Sequence, residues 1–209
     1  MVQKSDGKAA APRRPRGRPR SFDTGATLAQ ATLAFWQRGY AATSMDDLSV
    51  ATGLNRPSLY GAFGDKHALY LQALALYTEQ SNAAIAAALA GRPLREGLLR
   101  VYELALQLYF PAGEAARGCL LIGTAATEAP RDEAIRQALG DSLRGFNMAF
   151  EARLQQAADA GELPPGTDVA MRAQLASAVL HSIALRARAG DARQDLTALA
   201  AAGVAMVCG

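Results

Sequence analysis

Cysteine and histidine are almost absent from this 209-residue chain, which has only Cys119, Cys208, His67 and His181. Two thiols so far apart in sequence offer no disulfide framework, which favours a cytoplasmic setting. Two imidazoles with no metal, nucleophile or phosphate-loop pattern around them leave little for catalysis, so no catalytic residue, metal or cofactor is expected. No hydrophobic run approaches the ~20 residues that span a bilayer. The basic N-terminus leads into no apolar stretch, so a secretory signal is not expected. β-branched residues are scattered singly, whereas half the residues are apolar and alanine is abundant, so the chain reads as all-α. Its length suits one or two domains.

Acidic charge is missing from the first 20 residues, where Lys4, Lys8, Arg13, Arg14, Arg16, Arg18 and Arg20 face Asp6 alone, a net +6. The remaining 15 basic and 18 acidic residues give −3, so the basic pI of 9.1 belongs to the tail. That asymmetry marks a nucleic-acid-binding arm on a nearly neutral body. Rich in Lys, Arg, Pro, Gly and Ala, residues 1–20 cannot bury enough apolar surface to fold alone and are expected to be a disordered basic arm. Within it, Pro15-Arg16-Gly17-Arg18-Pro19-Arg20 resembles an AT-hook core, thin enough to lay Arg16, Arg18 and Arg20 in a narrow minor groove. A solvated leader making non-specific phosphate contacts fits the same residues equally well.

Residues 43–67, TSMDDLSVATGLNRPSLYGAFGDKH, carry the most information. Ser44 and Asp47 form a capping-box pattern for a helix with Met45, Leu48 and Ala51 facing inward. Gly53 supplies a left-handed turn, Asn55 can cap a second short helix, and Pro57 falls in its first turn, where no N–H is missed. Leu59 and Phe63 face inward, leaving Arg56, Ser58 and Tyr60 outward at the end that enters the major groove in a helix-turn-helix. A first helix over 22–38 precedes this unit, with Leu28, Ala31, Thr32, Phe35 and Trp36 inward. A connector over about 66–89, capped by Asp65, follows it.

Phe35, Gly39-Tyr40, Thr43, Leu48, Gly53-Leu54, Ser58-Leu59-Tyr60, Phe63 and Lys66 together resemble the N-terminal domain of the TetR family of bacterial transcriptional regulators, from Gly17 to about Leu74. The resemblance implies a three-helix helix-turn-helix domain over 21–66, a connector helix over 67–90 and a helical effector-binding and dimerisation domain over 91–209. It places Thr43, Ser44, Tyr60 and Lys66 at phosphate-contacting positions on double-stranded DNA. Base reading falls to Arg56, bidentate to guanine, with Asn55, Pro57 and Ser58 assisting. Gly61, also on the DNA-facing helix, and Ala62 replace larger side chains there, and Val50 replaces a polar one.

Beyond residue 91 helices are expected at 94–110, 118–129, 131–160, 168–189 and 193–207, broken at Pro111, Pro130, Pro164-Pro165 and Gly190. Ile135, Leu139, Leu143, Phe146, Phe150 and Leu154 form one apolar seam. Val169, Leu175, Ala176, Val179, Leu180 and Ile183 form another. By the family pattern these helices pair with a second subunit, with Leu143, Phe150, Leu154, Leu175, Val179 and Ile183 at the homodimer interface. Tyr102, Leu106, Tyr109, Phe110, Cys119, Phe146 and His181 are the candidate lining of a pocket for a small-molecule effector. Cys119, beside Arg117 at an expected helix start, has the surroundings of a low-pKa thiol, whereas a free cysteine is ordinarily a small buried hydrophobe. The reading is a palindrome-binding regulator, with repression the family expectation. The alternatives are an architectural protein with broad A·T-rich binding and a thiol-sensing repressor using Cys119.

Overall fold

Side-chain caps fix where most of the helices begin. A computed structural model describes residues 22–209, and every described element is helical. Asp23 accepts from the N–H groups of Gly25 and Ala26 to open α1 (Thr24–Arg38). Ser44 opens α2 (Met45–Thr52), Asn55 opens α3 (Arg56–Phe63) and Asp65 opens α4 (Lys66–Leu89). Each cap pairs a backbone donor that has no partner inside its helix. Helix α5 (Leu94–Tyr109) starts behind Pro93 without a side-chain cap. Asp132 opens α7 (Glu133–Asp159) and Asp168 opens α8 (Val169–Ala189), while α9 (Arg193–Cys208) begins uncapped by any side chain.

The expected helix over 118–129 is the one that differs. Its first residues are not helical; a π-helical stretch, Leu121–Ala125, runs into a single α-turn, Ala126–Glu128, and the two together form α6. Tertiary contacts displace its start. Gly118 has φ 62°, and a Cβ there would lie 2.4 Å from the carbonyl oxygen of Ala184 on α8. The backbone thus passes directly against α8 in a conformation that suits glycine. The Gly118 carbonyl accepts the indole N–H of Trp36 at 3.0 Å and so serves α1 instead of a helix of its own.

Helix α8 packs between α7 and α9, α5 lies on α9 and α4, and α4 also contacts α7 and α1. One hydrophobic cluster runs without a break from Phe35 on α1 to Val207 on α9, so α1–α3 share their core with the body. Phe35, Tyr70, Tyr102 and Phe150 are its largest fully buried side chains. Burial of each such side chain contributes roughly 1.5–3 kcal/mol. Among the described residues no helix is long and apolar enough to cross a membrane.

Candidate nucleic-acid interface

Helix α2 ends at Gly53, left-handed at φ 67°, and two residues later Asn55 Oδ1 accepts the Ser58 N–H at 2.9 Å to start α3. Leu48 and Leu59 are fully buried and Phe63 nearly so, which clamps the two short helices together and onto α1. Met45 is half-buried with them, but Ala51 faces solvent. Asn55, Arg56, Pro57, Tyr60, Gly61 and Ala62 are left exposed on the outer side of α3, with Ser58 half-buried beside them. Tyr60 is 49% exposed, so its ring is not spent on the core. Val50 is also exposed on α2, and nothing in the structure explains an apolar residue there.

Ser44 completes the capping box. Its hydroxyl accepts the Asp47 N–H at 3.1 Å, and Asp47 accepts the Ser44 N–H at 2.9 Å. The Ser44 hydroxyl, which also donates to the Asp47 carboxylate at 2.6 Å, then the Ser44 N–H and Arg38, hold the Asp47 carboxyl below its ordinary pKa.

Two expected phosphate contacts take other roles. Thr43 is fully buried and donates its hydroxyl to the Gly39 carbonyl at 2.6 Å. Lys66 donates to the carbonyls of Tyr40 and Thr43 at 3.0 and 2.9 Å and lies 4.3 Å from the Tyr40 ring centroid. Both side chains tie down the α1–α2 turn, whose carbonyls need partners once buried. Arg56 is exposed at the first turn of α3 and is held by the Asp46 carboxylate on α2 through Nε and Nη2. Arg16, Arg18 and Arg20 lie outside the described residues.

In the body, a chamber of about 70 Å³ is lined by Tyr77, Ser81, Ala84 and Ile85 of α4, by Val101, Leu104, Ala105, Leu108 and Tyr109 of α5, and by Cys119, Phe146, Leu180 and His181. Tyr109, Cys119, Phe146 and His181 are thus brought together as expected. Tyr102 and Leu106 are not, because they sit on another face of α5. The Tyr102 hydroxyl donates to the Ala176 carbonyl at 3.0 Å, and Leu106 borders a cleft against α9. Phe110, just past the end of α5, is also outside the lining. The lining missed in sequence follows helical spacing: Val101, Leu104, Ala105 and Leu108 on α5, and Tyr77, Ser81, Ala84 and Ile85 on α4.

The chamber is apolar with a few polar tips. Tyr77 donates to Cys119 Sγ at 3.2 Å, and burial raises the pKa of both groups and of Tyr109. Of the two readings of Cys119, the low-pKa thiol is corrected, since desolvation outweighs the local hydrogen bonds, and the side chain is a small buried hydrophobe. Burial likewise depresses the pKa of His181, whose Nε2 is buried without a protein partner among the described residues.

Short links tie α4, which lines the chamber, to α1, α6 and α7. The Tyr77 ring meets Trp36 of α1 edge-on at 5.0 Å, and the Arg117 guanidinium lies 4.3 Å from the Trp36 ring centroid. Tyr70 of α4 shares a 2.6 Å hydrogen bond with Thr124 in the π-helical stretch. His67 Nε2 lies 2.9 Å from Asp132, the cap of α7.

Of the expected interface residues, Phe150, Leu154 and Ile183 are fully buried within the chain, which corrects their assignment. They lie on the faces by which α7 and α8 bury each other and their neighbours. Leu143, Leu175 and Val179 remain half-buried, and Met148, Met171 and Leu185 are exposed on the same two helices.

Comparison with known proteins agrees with this architecture. Residues 28–73 match the model of bacterial regulatory proteins of the tetR family, and residues 97–202 match the tetracyclin repressor-like C-terminal domain. The HTH-type transcriptional repressor ComR of Escherichia coli (strain K12) is 31% identical over 189 residues, 90% of each chain. The repressor BdcR of the same organism is 35% identical over 107 residues, 51% of this chain and 54% of that one. The solved structure of a cysteine-substituted CifR, a TetR family transcriptional regulator complexed with 26-bp double-strand operator DNA, is 32% identical. It superposes with a TM-score of 0.82 over 90% of this chain and 98% of that one. The chain belongs to the TetR family of bacterial regulators, which are DNA-binding transcription regulators and not enzymes.

Proposed function

We propose that the protein is a homodimeric repressor that leaves a palindromic operator when a small, largely apolar effector enters the α4–α5 chamber. One observation carries the release step: Tyr77, on the connector, lines the chamber and packs against Trp36 of α1. A ligand that moves Tyr77 therefore pushes on the DNA-reading helices through a single side chain. At about 70 Å³ the chamber is far below the ~300 Å³ of pockets that take drug-sized molecules, so such an effector must part α4 from α5 to enter. A few kcal/mol of differential affinity between the two arrangements suffices to empty the operator.

In this reading residues 1–20 are a basic arm, 21–66 the DNA-binding domain, 67–90 the connector and 91–209 the effector and dimerisation domain of a cytoplasmic protein. Arg56, Pro57, Ser58, Tyr60 and Gly61 face the major groove, with Asn55 and Ser44 at the helix starts that point to the phosphates. Two copies joined through Leu143, Leu175, Met148, Met171 and Leu185 would set two recognition helices about 34–36 Å apart, one turn of DNA, whereas the Val179 methyl groups face Gly203 of α9 in the same chain. Selection of bound genomic fragments at low and near-physiological salt supplies the operator. A short inverted repeat supports this reading, whereas diffuse A·T-rich recovery that fades with salt favours an architectural protein.

Ala105→Phe then tests release. The added ring fills the chamber and should weaken operator binding at least ~10-fold, a population shift worth about 1.4 kcal/mol, with helical content intact. Full operator affinity in a folded Ala105→Phe protein would sink the release mechanism. Ala84→Leu serves as the milder filling should the larger ring prevent folding.

A further inference from the structure

We propose that Asp46 is a specificity-determining residue that positions Arg56 for base reading, gripping one edge of the guanidinium and leaving the other for a guanine. The inference rests on the reading of Arg56 as a base-contacting residue. Arg56 stands in the first turn of α3 and Asp46 in the first turn of α2, on opposite sides of the Gly53 turn. Nε donates to one carboxylate oxygen and Nη2 to the other. This side-on grip leaves both N–H groups of Nη1 and the second N–H of Nη2. Those donors point along the far edge, which is the pair that fits O6 and N7 of guanine.

Both partners are exposed, with side chains 53% and 67% accessible, so the pair contributes little to folding. Its placement also sets it apart from Arg100–Glu103, Arg136–Glu133 and Arg144–Asp141, exposed pairs that join residues one turn apart on a single helix. Arg56–Asp46 instead bridges two helices on the side of the motif that faces DNA.

Two consequences follow for binding. An arginine already fixed in its fork geometry loses less rotamer freedom on docking, and a misplaced base cannot recruit it by a different reach. The pair is also electrically neutral and sets a carboxylate beside the phosphates, so Arg56 adds little to sequence-independent attraction. Asp46 thus trades general affinity for discrimination.

The test uses the full-length protein and a randomised duplex library, comparing the wild type with Asp46→Ala, Asp46→Asn, Asp46→Glu and Arg56→Ala. In the wild type one half-site column should be guanine. In Asp46→Ala and Asp46→Asn preference for that guanine should fall by about tenfold. Binding to unrelated duplex should tighten and its salt dependence steepen by about one counterion. Asp46→Glu, whose longer carboxylate still reaches the guanidinium, should keep most of the preference. Thermal midpoints should hardly change, so a purely structural role for Asp46 moves none of these readouts in this way. Guanine preference that survives in Asp46→Ala and Asp46→Asn but is lost in Arg56→Ala overturns the proposal and leaves the Arg56 reading intact. Preference that survives in Arg56→Ala overturns the Arg56 reading, and the proposal with it.

Discussion

At Cys119 the local sequence and the fold pull the thiol in opposite directions. Arg117 and an expected helix start favour thiolate, but the side chain is only 5% exposed, and Arg117 turns away to cover Trp36 and donate to the Leu108 carbonyl. Desolvation wins, and the thiol stays protonated at neutral pH. Iodoacetamide at pH 7.5 should therefore alkylate half-buried Cys208 well before Cys119 in the native protein. A raised pKa puts the reactive anion at higher pH, so Cys119 labelling should grow only as pH climbs above the ordinary thiol range or the protein unfolds. Peptide mass spectrometry over a pH series checks this. Alkylation of Cys119 at the rate of a free thiol at pH 7.5 would contradict the buried geometry.

Helix starts were legible in the sequence because capping is local: Ser44, Asn55 and Asp65 need only donors three residues away. Helix faces were less so. Leu106 is as apolar as Leu104 and Leu108, Tyr102 is as bulky, and which side of α5 meets the chamber depends on where α4 and α9 pack. Phe150, Leu154 and Ile183 show the same limit, since a regular apolar seam does not say whether its partner belongs to the same chain. The π-helical start of α6 was not legible at all, because it depends on α1 and α8, distant in sequence. The α8–α9 crossing depends on Gly203, where a Cβ would lie 2.8 Å from both methyl groups of Val179. Gly203→Ala should cost roughly 1–3 kcal/mol by overpacking. Adding Val179→Ala should recover part of that loss in urea denaturation; an additive loss would mean that the two sites do not collide.

For the whole molecule, charge is unevenly divided along the sequence, with seven of the 22 basic residues in the first 20 positions. Removing residues 1–20 should lower the slope of log K against log salt by up to ~6, about 0.9 for each phosphate neutralised. Half-site preference, assigned to α3 in the proposed function, should persist. Titration of the selected operator over 50–200 mM salt measures both. An unchanged slope would mean that the arm does not touch DNA.

The chain's one tryptophan sits where α1 meets the body, 6% exposed, with its indole N–H on Gly118, its face under Arg117 and its ring nearly perpendicular to that of Tyr77. The protein therefore carries an optical gauge of that junction. Emission from Trp36 should be blue-shifted and poorly quenched by acrylamide while the junction is closed, then move to the red and quench more readily when the chamber fills. Compounds can accordingly be screened by intrinsic fluorescence, without a label and before any operator is known.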